Sequence, residues 1–160
     1  MRLLGDTLGA LAHFPTVEAV EAAGYVSIED DRFSGWEHFV NWSYLGDGRQ
    51  FDSTAIESIV ARVNPDGSRT VASALYIMNV GKTMADVPDI AGELSARGFH
   101  DHQNLCFNGT TLAGLGPPCP AGSVLLPTPP MLHVWQIPSE CGPFATVEGH
   151  GGAGCAGHGH

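Results

Sequence analysis

Ser58-Ile59-Val60-Ala61-Arg62-Val63-Asn64-Pro65-Asp66-Gly67-Ser68-Arg69-Thr70-Val71-Ala72-Ser73-Ala74-Leu75-Tyr76-Ile77-Met78 is the stretch that decides the fold class. Two apolar runs rich in β-branched residues, 58–63 and 69–78, flank Asn-Pro-Asp-Gly. Proline presets one turn dihedral, glycine supplies a positive φ, and Asn and Asp bond back to their own backbone. The stretch therefore predicts a β-hairpin.

Outward from the hairpin, the period changes. Toward the N-terminus, Leu3, Leu4, Leu8 and Leu11 recur at helical spacing, which predicts an amphipathic helix over residues 2–12. Pro15 interrupts it, and Thr16 can cap a second short helix, 17–23, that Gly24 ends. Residues 36–44 are aromatic-rich and extended in character. Toward the C-terminus, residues 81–97 form a mostly polar connection, and 98–107 and 110–115 predict short strands. Residues 117–130 form a proline-rich loop, residues 131–137 a further apolar strand, and the chain is loop-like from Gly142.

The expected class is α+β, with N-terminal helices packed on a mainly antiparallel β-sheet or small β-barrel. A single domain is expected over 1–160: a helical segment 1–24, a β-rich core 25–145 and a Gly/His-rich tail 146–160.

The 160 residues are 43% hydrophobic and 15% charged, with 21 glycines and 11 prolines, as expected for a globular chain of short strands and many turns. Seventeen acidic and seven basic residues leave a net charge of −10. A polyanion needs a basic patch that releases counterions, so no nucleic-acid partner is expected; a cation suits this field better. No stretch approaches the roughly 20 apolar residues that span a bilayer, so no direct membrane insertion is expected. Met1-Arg2-Leu3-Leu4-Gly5-Asp6 turns acidic too early for a signal peptide.

Cys106, Cys119, Cys141 and Cys155 are spaced by 13, 22 and 14 residues. Without a Cys-x-x-Cys unit a zinc ribbon is not expected. Three disulfide connectivities are open. Cys106–Cys119 and Cys141–Cys155 are the expected pairs in an oxidising compartment, because they close the proline-rich and glycine-rich loops.

Histidines carry the remaining chemistry. In Phe99-His100-Asp101-His102, a strand conformation would set His100 and His102 on one face, about 6–7 Å apart, with Asp101 opposite. In Met131-Leu132-His133-Val134-Trp135, His133 would share a face with Met131 and Trp135. A lone histidine in so apolar a strand is commonly a hydrogen-bonded core residue. Beside a His-x-His unit it completes a three-imidazole set of the kind transition metals take. His38, in Trp36-Glu37-His38-Phe39-Val40-Asn41, admits three roles: a fourth ligand, a group orienting a ligand, or a core residue. His158 and His160, in the tail that begins Gly149-His150 and holds Cys155, could close the site.

No nucleophile elbow, phosphate-binding glycine loop, dinucleotide fingerprint or His-Glu-x-x-His unit is present. Asn41-Trp42-Ser43 and Asn108-Gly109-Thr110 fit the glycosylation tripeptide.

As a set, these motifs resemble an uncharacterised, mostly actinobacterial family. The resemblance rests on Ala22-Ala23-Gly24-Tyr25, Gly35-Trp36-Glu37-His38-Phe39-Val40-Asn41, Phe99-His100-Asp101-His102-Gln103-Asn104-Leu105-Cys106, Met131-Leu132-His133-Val134-Trp135 and Cys141-Gly142-Pro143-Phe144. It runs from about Leu11 onward, although Phe99 stands where a tryptophan would be expected. It implies an exported or cell-surface protein. It also implies a tail resembling Cys-Asp-His-x-His, which Cys155-Ala156-Gly157-His158-Gly159-His160 matches with spacing one residue off. The family supplies no activity and no substrate.

The expectation is a domain binding copper or zinc as carrier, store or sensor, with Met131 or Cys155 tilting the choice toward copper. A metal-dependent enzyme of oxygenase or hydrolase type, with three histidines, an open position and Glu37 or Asp101 as acid–base group, is the first alternative. An accessory subunit with structural histidines and a protein partner is the second. The sequence does not decide whether the chain is an enzyme.

Overall fold

The computed structural model describes residues 2–89, 98–139 and 141–146. Helix α1 (Arg2–Leu11) and helix α2 (Val17–Ala22) open the chain, and Thr16 caps α2 by accepting the Ala19 N–H at 3.2 Å. Strand β1 (Val26–Ser27) leads to a 3-10 turn, Asp30–Arg32, then β2 (Trp36–Val40) and the short helix α3 (Trp42–Leu45). The aromatic segment 36–44, expected to be extended throughout, thus coils after Asn41.

The hairpin forms as read, with β3 (Ser58–Val63) paired antiparallel to β4 (Arg69–Ile77) and a bulge at Val60/Ala61. At its turn the Gly67 N–H donates to the Asn64 carbonyl at 2.9 Å, and Gly67 takes φ +85°. A Cβ there would strain the backbone.

Strands β5 (Leu105–Asn108), β6 (Thr111–Leu115), β7 (Val124–Leu125) and β8 (Met131–Trp135) follow. Two antiparallel sheets result, in the orders β1-β2-β3-β4-β8 and β6-β5-β7. The fold is α+β, and among the described residues the sheets are open and form no closed barrel. Three boundaries differ from the sequence reading. β5 begins only at Leu105, because His100 contributes a single bridge to Met131. β8 stops at Trp135, and the proline-rich loop carries β7.

Strand alternation sends the residues of the larger sheet to two faces. On one, Phe39, Ile59, Ala74, Tyr76, Leu132 and Val134 pack against Leu11, Val17 and Val20 of the helices. Tyr76 Oη and Thr7 Oγ1 lie 2.6 Å apart across that seam. The other face carries Trp36, Val60, Leu75, Met131 and Trp135, and beside Val40 it continues into Phe107 and Leu112 of the smaller sheet.

Cys106 and Cys119 form a disulfide, which ties β5 to the proline-rich loop. Cys141 is disulfide-bonded as well. Cys155, His158, His160 and the rest of the tail lie outside the described residues, as do 90–97.

Candidate metal centre

All the candidate ligands that are described meet on the face of the larger sheet away from the helices. The register runs His38–Val60–Ser73–Trp135 in one row and Val40–Ser58–Leu75–His133 in the next. His38 and His133 are therefore separated by two strands, a lateral distance of about 14 Å at the backbone. Their ring centroids nevertheless lie 6.1 Å apart. The two side chains therefore lean toward one another across the face that Ser58 and Ser73 share.

His133 is the hub, 1% exposed. His100 stacks on it with centroids 5.2 Å apart and planes 7° from parallel, and Trp135 stacks at 4.9 Å and 22°. His102 meets His100 edge-on at 5.3 Å. Burial, with His100, His38 and His102 as adding neighbours, pushes the His133 pKa well below the ordinary imidazole value. At neutral pH His133 is therefore uncharged, the form that coordinates a metal.

The histidines are held through Nδ1. His38 Nδ1 lies 2.6 Å from Asp30 Oδ2, while Asp30 Oδ1 accepts the His38 backbone N–H at 2.8 Å. His100 Nδ1 lies 3.1 Å from the Gly98 carbonyl. A carbonyl and a carboxylate oxygen accept, so Nδ1–H faces each of them, and a neutral ring held this way has its lone pair on Nε2. His133 Nδ1 lies 3.2 Å from Ser73 Oγ. Thr128 holds the His102 backbone at both ends: its Oγ1 accepts the His102 N–H at 2.8 Å, and its own N–H donates to the His102 carbonyl at 2.8 Å.

Gly98 is needed where it stands, because a Cβ would come within 2.8 Å of Leu132 Cδ1 and closer still to the Phe144 carbonyl.

Among the described residues, no three His, Cys, Asp or Glu side chains are arranged to hold a metal ion. The stack gives the reason: the in-plane lone pairs of two parallel rings do not meet at one point. Coordination by both rings requires His100 to turn out of its stack on His133.

Glu37 alternates to the opposite face of β2 from His38, where Ser27 Oγ donates to it at 2.7 Å and Arg69 Nη1 at 2.6 Å. It is a buried partner of a salt bridge. Asp101 accepts from Gln103 Nε2 at 3.0 Å. The sequence reading missed Asp30, Gly98, Ser73 and Thr128. Ser73 was readable, since alternation from the hairpin puts it on the histidine face. The other three have no local signal.

No protein-family model, curated protein or solved structure matches the chain.

Proposed function

We propose that the chain binds one transition-metal ion, copper or zinc, through His133, His100 and His38, with His102 at the rim. The observation that supports this most is the hold on Nδ1. His38 and His100 each set Nδ1 against an acceptor beside the buried His133, and a neutral ring held this way would offer Nε2 to a metal. A carboxylate or carbonyl behind each ligand is the usual support of metal-binding histidines.

Metal analysis of the purified full-length chain tests the reading. One equivalent of copper or zinc is expected, with metal–nitrogen distances of about 2.0–2.1 Å. His133→Ala and His100→Ala should each abolish stoichiometric metal and keep the wild-type circular dichroism spectrum. Full metal content in both variants would overturn it.

The column Trp135–His133–His100 supports a second reading, in which these rings are packing elements of an accessory domain. In that case neither ion binds the wild-type chain at one equivalent.

A further inference from the structure

The donor set distinguishes between the two ions. Met131 is the bridge partner of His100: the His100 N–H donates to the Met131 carbonyl at 3.1 Å and the Met131 N–H to the His100 carbonyl at 2.7 Å. Directly paired residues project to the same face, so Met131, His100 and His133 share one side of the sheet. Met131 is 5% exposed and packs with Trp36, Leu75 and Trp135. The buried His133 and the half-buried His100 thus border an apolar cluster that contributes one soft donor atom, the Met131 thioether.

Two physical terms favour the same ion. A thioether is a soft ligand that prefers copper(I), whereas zinc is served by imidazole, thiolate and carboxylate. Taking an ion from water into an apolar surrounding costs free energy that grows with the square of its charge, and all the first ligands here are neutral. A monovalent ion therefore carries about one quarter of the divalent ion's charging cost, and Asp30 behind His38 offsets much of one positive charge.

We propose that the ion is copper(I), held by His133, His100 and His38 with Met131 as the sulfur ligand. The inference rests on the metal-binding reading above and adds the ion and the fourth donor.

The experiment compares the wild-type full chain with Met131→Leu, a near-isosteric change that removes only the sulfur. Copper(I) affinity is measured anaerobically against a colorimetric chelator, without added thiol so that the disulfides stay closed, and zinc(II) affinity is measured in parallel. In the wild type, copper(I) should bind the tighter. In Met131→Leu, copper(I) affinity should fall about tenfold or more and zinc affinity stay within about twofold, since losing even a supporting group costs a metal site about 10–100-fold. X-ray absorption of the copper-loaded wild type should show one sulfur scatterer beside the nitrogens, a reading that does not depend on the variant's folding. An unchanged copper(I) affinity in Met131→Leu, or a nitrogen-only shell, overturns the sulfur ligand and leaves the histidine site standing. Equal loss of both metals in a folded variant overturns the selectivity. If neither ion binds the wild type, the metal-binding reading fails with it.

Discussion

Asp30 does more for the candidate centre than any residue other than its histidines. One oxygen fixes the His38 backbone and the other its ring, so position and tautomer are set by a single carboxylate. Asp30→Asn keeps the shape and reverses one polarity. The amide nitrogen would face His38 Nδ1, and the ring would then favour the tautomer that protonates Nε2, the wrong nitrogen for coordination. Metal affinity should drop about 10–100-fold. In metal-free protein the imidazole 15N shifts should report the exchange, and an unchanged His38 tautomer would disprove the assignment. Ser58 makes a second prediction at this scale. Its hydroxyl is buried on the histidine face with no hydrogen-bond partner among the described residues. Ser58→Ala removes an unsatisfied polar group at little change of volume, so stability should rise by about 1 kcal/mol in urea denaturation. His100 and His102 stand out in the sequence because His-x-His sets two titratable rings side by side, and His133 only beside that unit, since a lone histidine in an apolar strand is commonly a core residue. Asp30 does not stand out, because Glu29-Asp30-Asp31 offers three acids in a row and only the turn after β1 selects the middle one.

Among the elements, the hairpin was legible because everything it needs is local: two runs of residues and a four-residue turn. The second helix was legible for the same reason, from Thr16 to Gly24. The segment carrying His100 and His102 is expected from the sequence to be a short strand over 98–107. Its pairing is instead one bridge to Met131 and the exchange with Thr128, contacts that join distant parts of the chain. The smaller sheet hid in the same way: β7 lies in a proline-rich loop, and only its pairing with β5 makes it a strand. The Cys106–Cys119 disulfide links those two regions across 13 residues. Closing a loop of that size stabilises a fold by about 3 kcal/mol. Replacing both cysteines with serine should therefore lower the unfolding free energy by roughly that amount. A loss below about 1 kcal/mol would show that β7 and the loop hold their place without the bond.

At the scale of the whole molecule, the acidic excess meets a buried carboxylate. Glu57 is 1% exposed, and its Oε2 accepts the Ile77 N–H at 3.2 Å. Burial raises its pKa to about 7, with Asp47 and Asp52 adding to the rise and backbone donors opposing it. The folded protein thus holds a proton that the unfolded chain, with an ordinary glutamate, releases near pH 4.5. Below that pH both states are protonated, and the full stabilisation is present. Between about 4.5 and 7 the folded state binds more protons than the unfolded one, so stability falls as pH rises, by at most about 1.4 kcal/mol per pH unit. Above the folded pKa both states are ionised and the slope ends. Glu57→Gln keeps the shape and cannot ionise, so it lacks this slope. Urea denaturation of wild type and variant between about pH 5 and 8 isolates the effect, because the histidines titrate in both proteins and cancel in the difference. The variant should gain about 2.5 kcal/mol on the wild type between about pH 5 and 8. A difference that stays constant across the range would mean that Glu57 is ionised in the folded protein throughout, with partners strong enough to outweigh its burial.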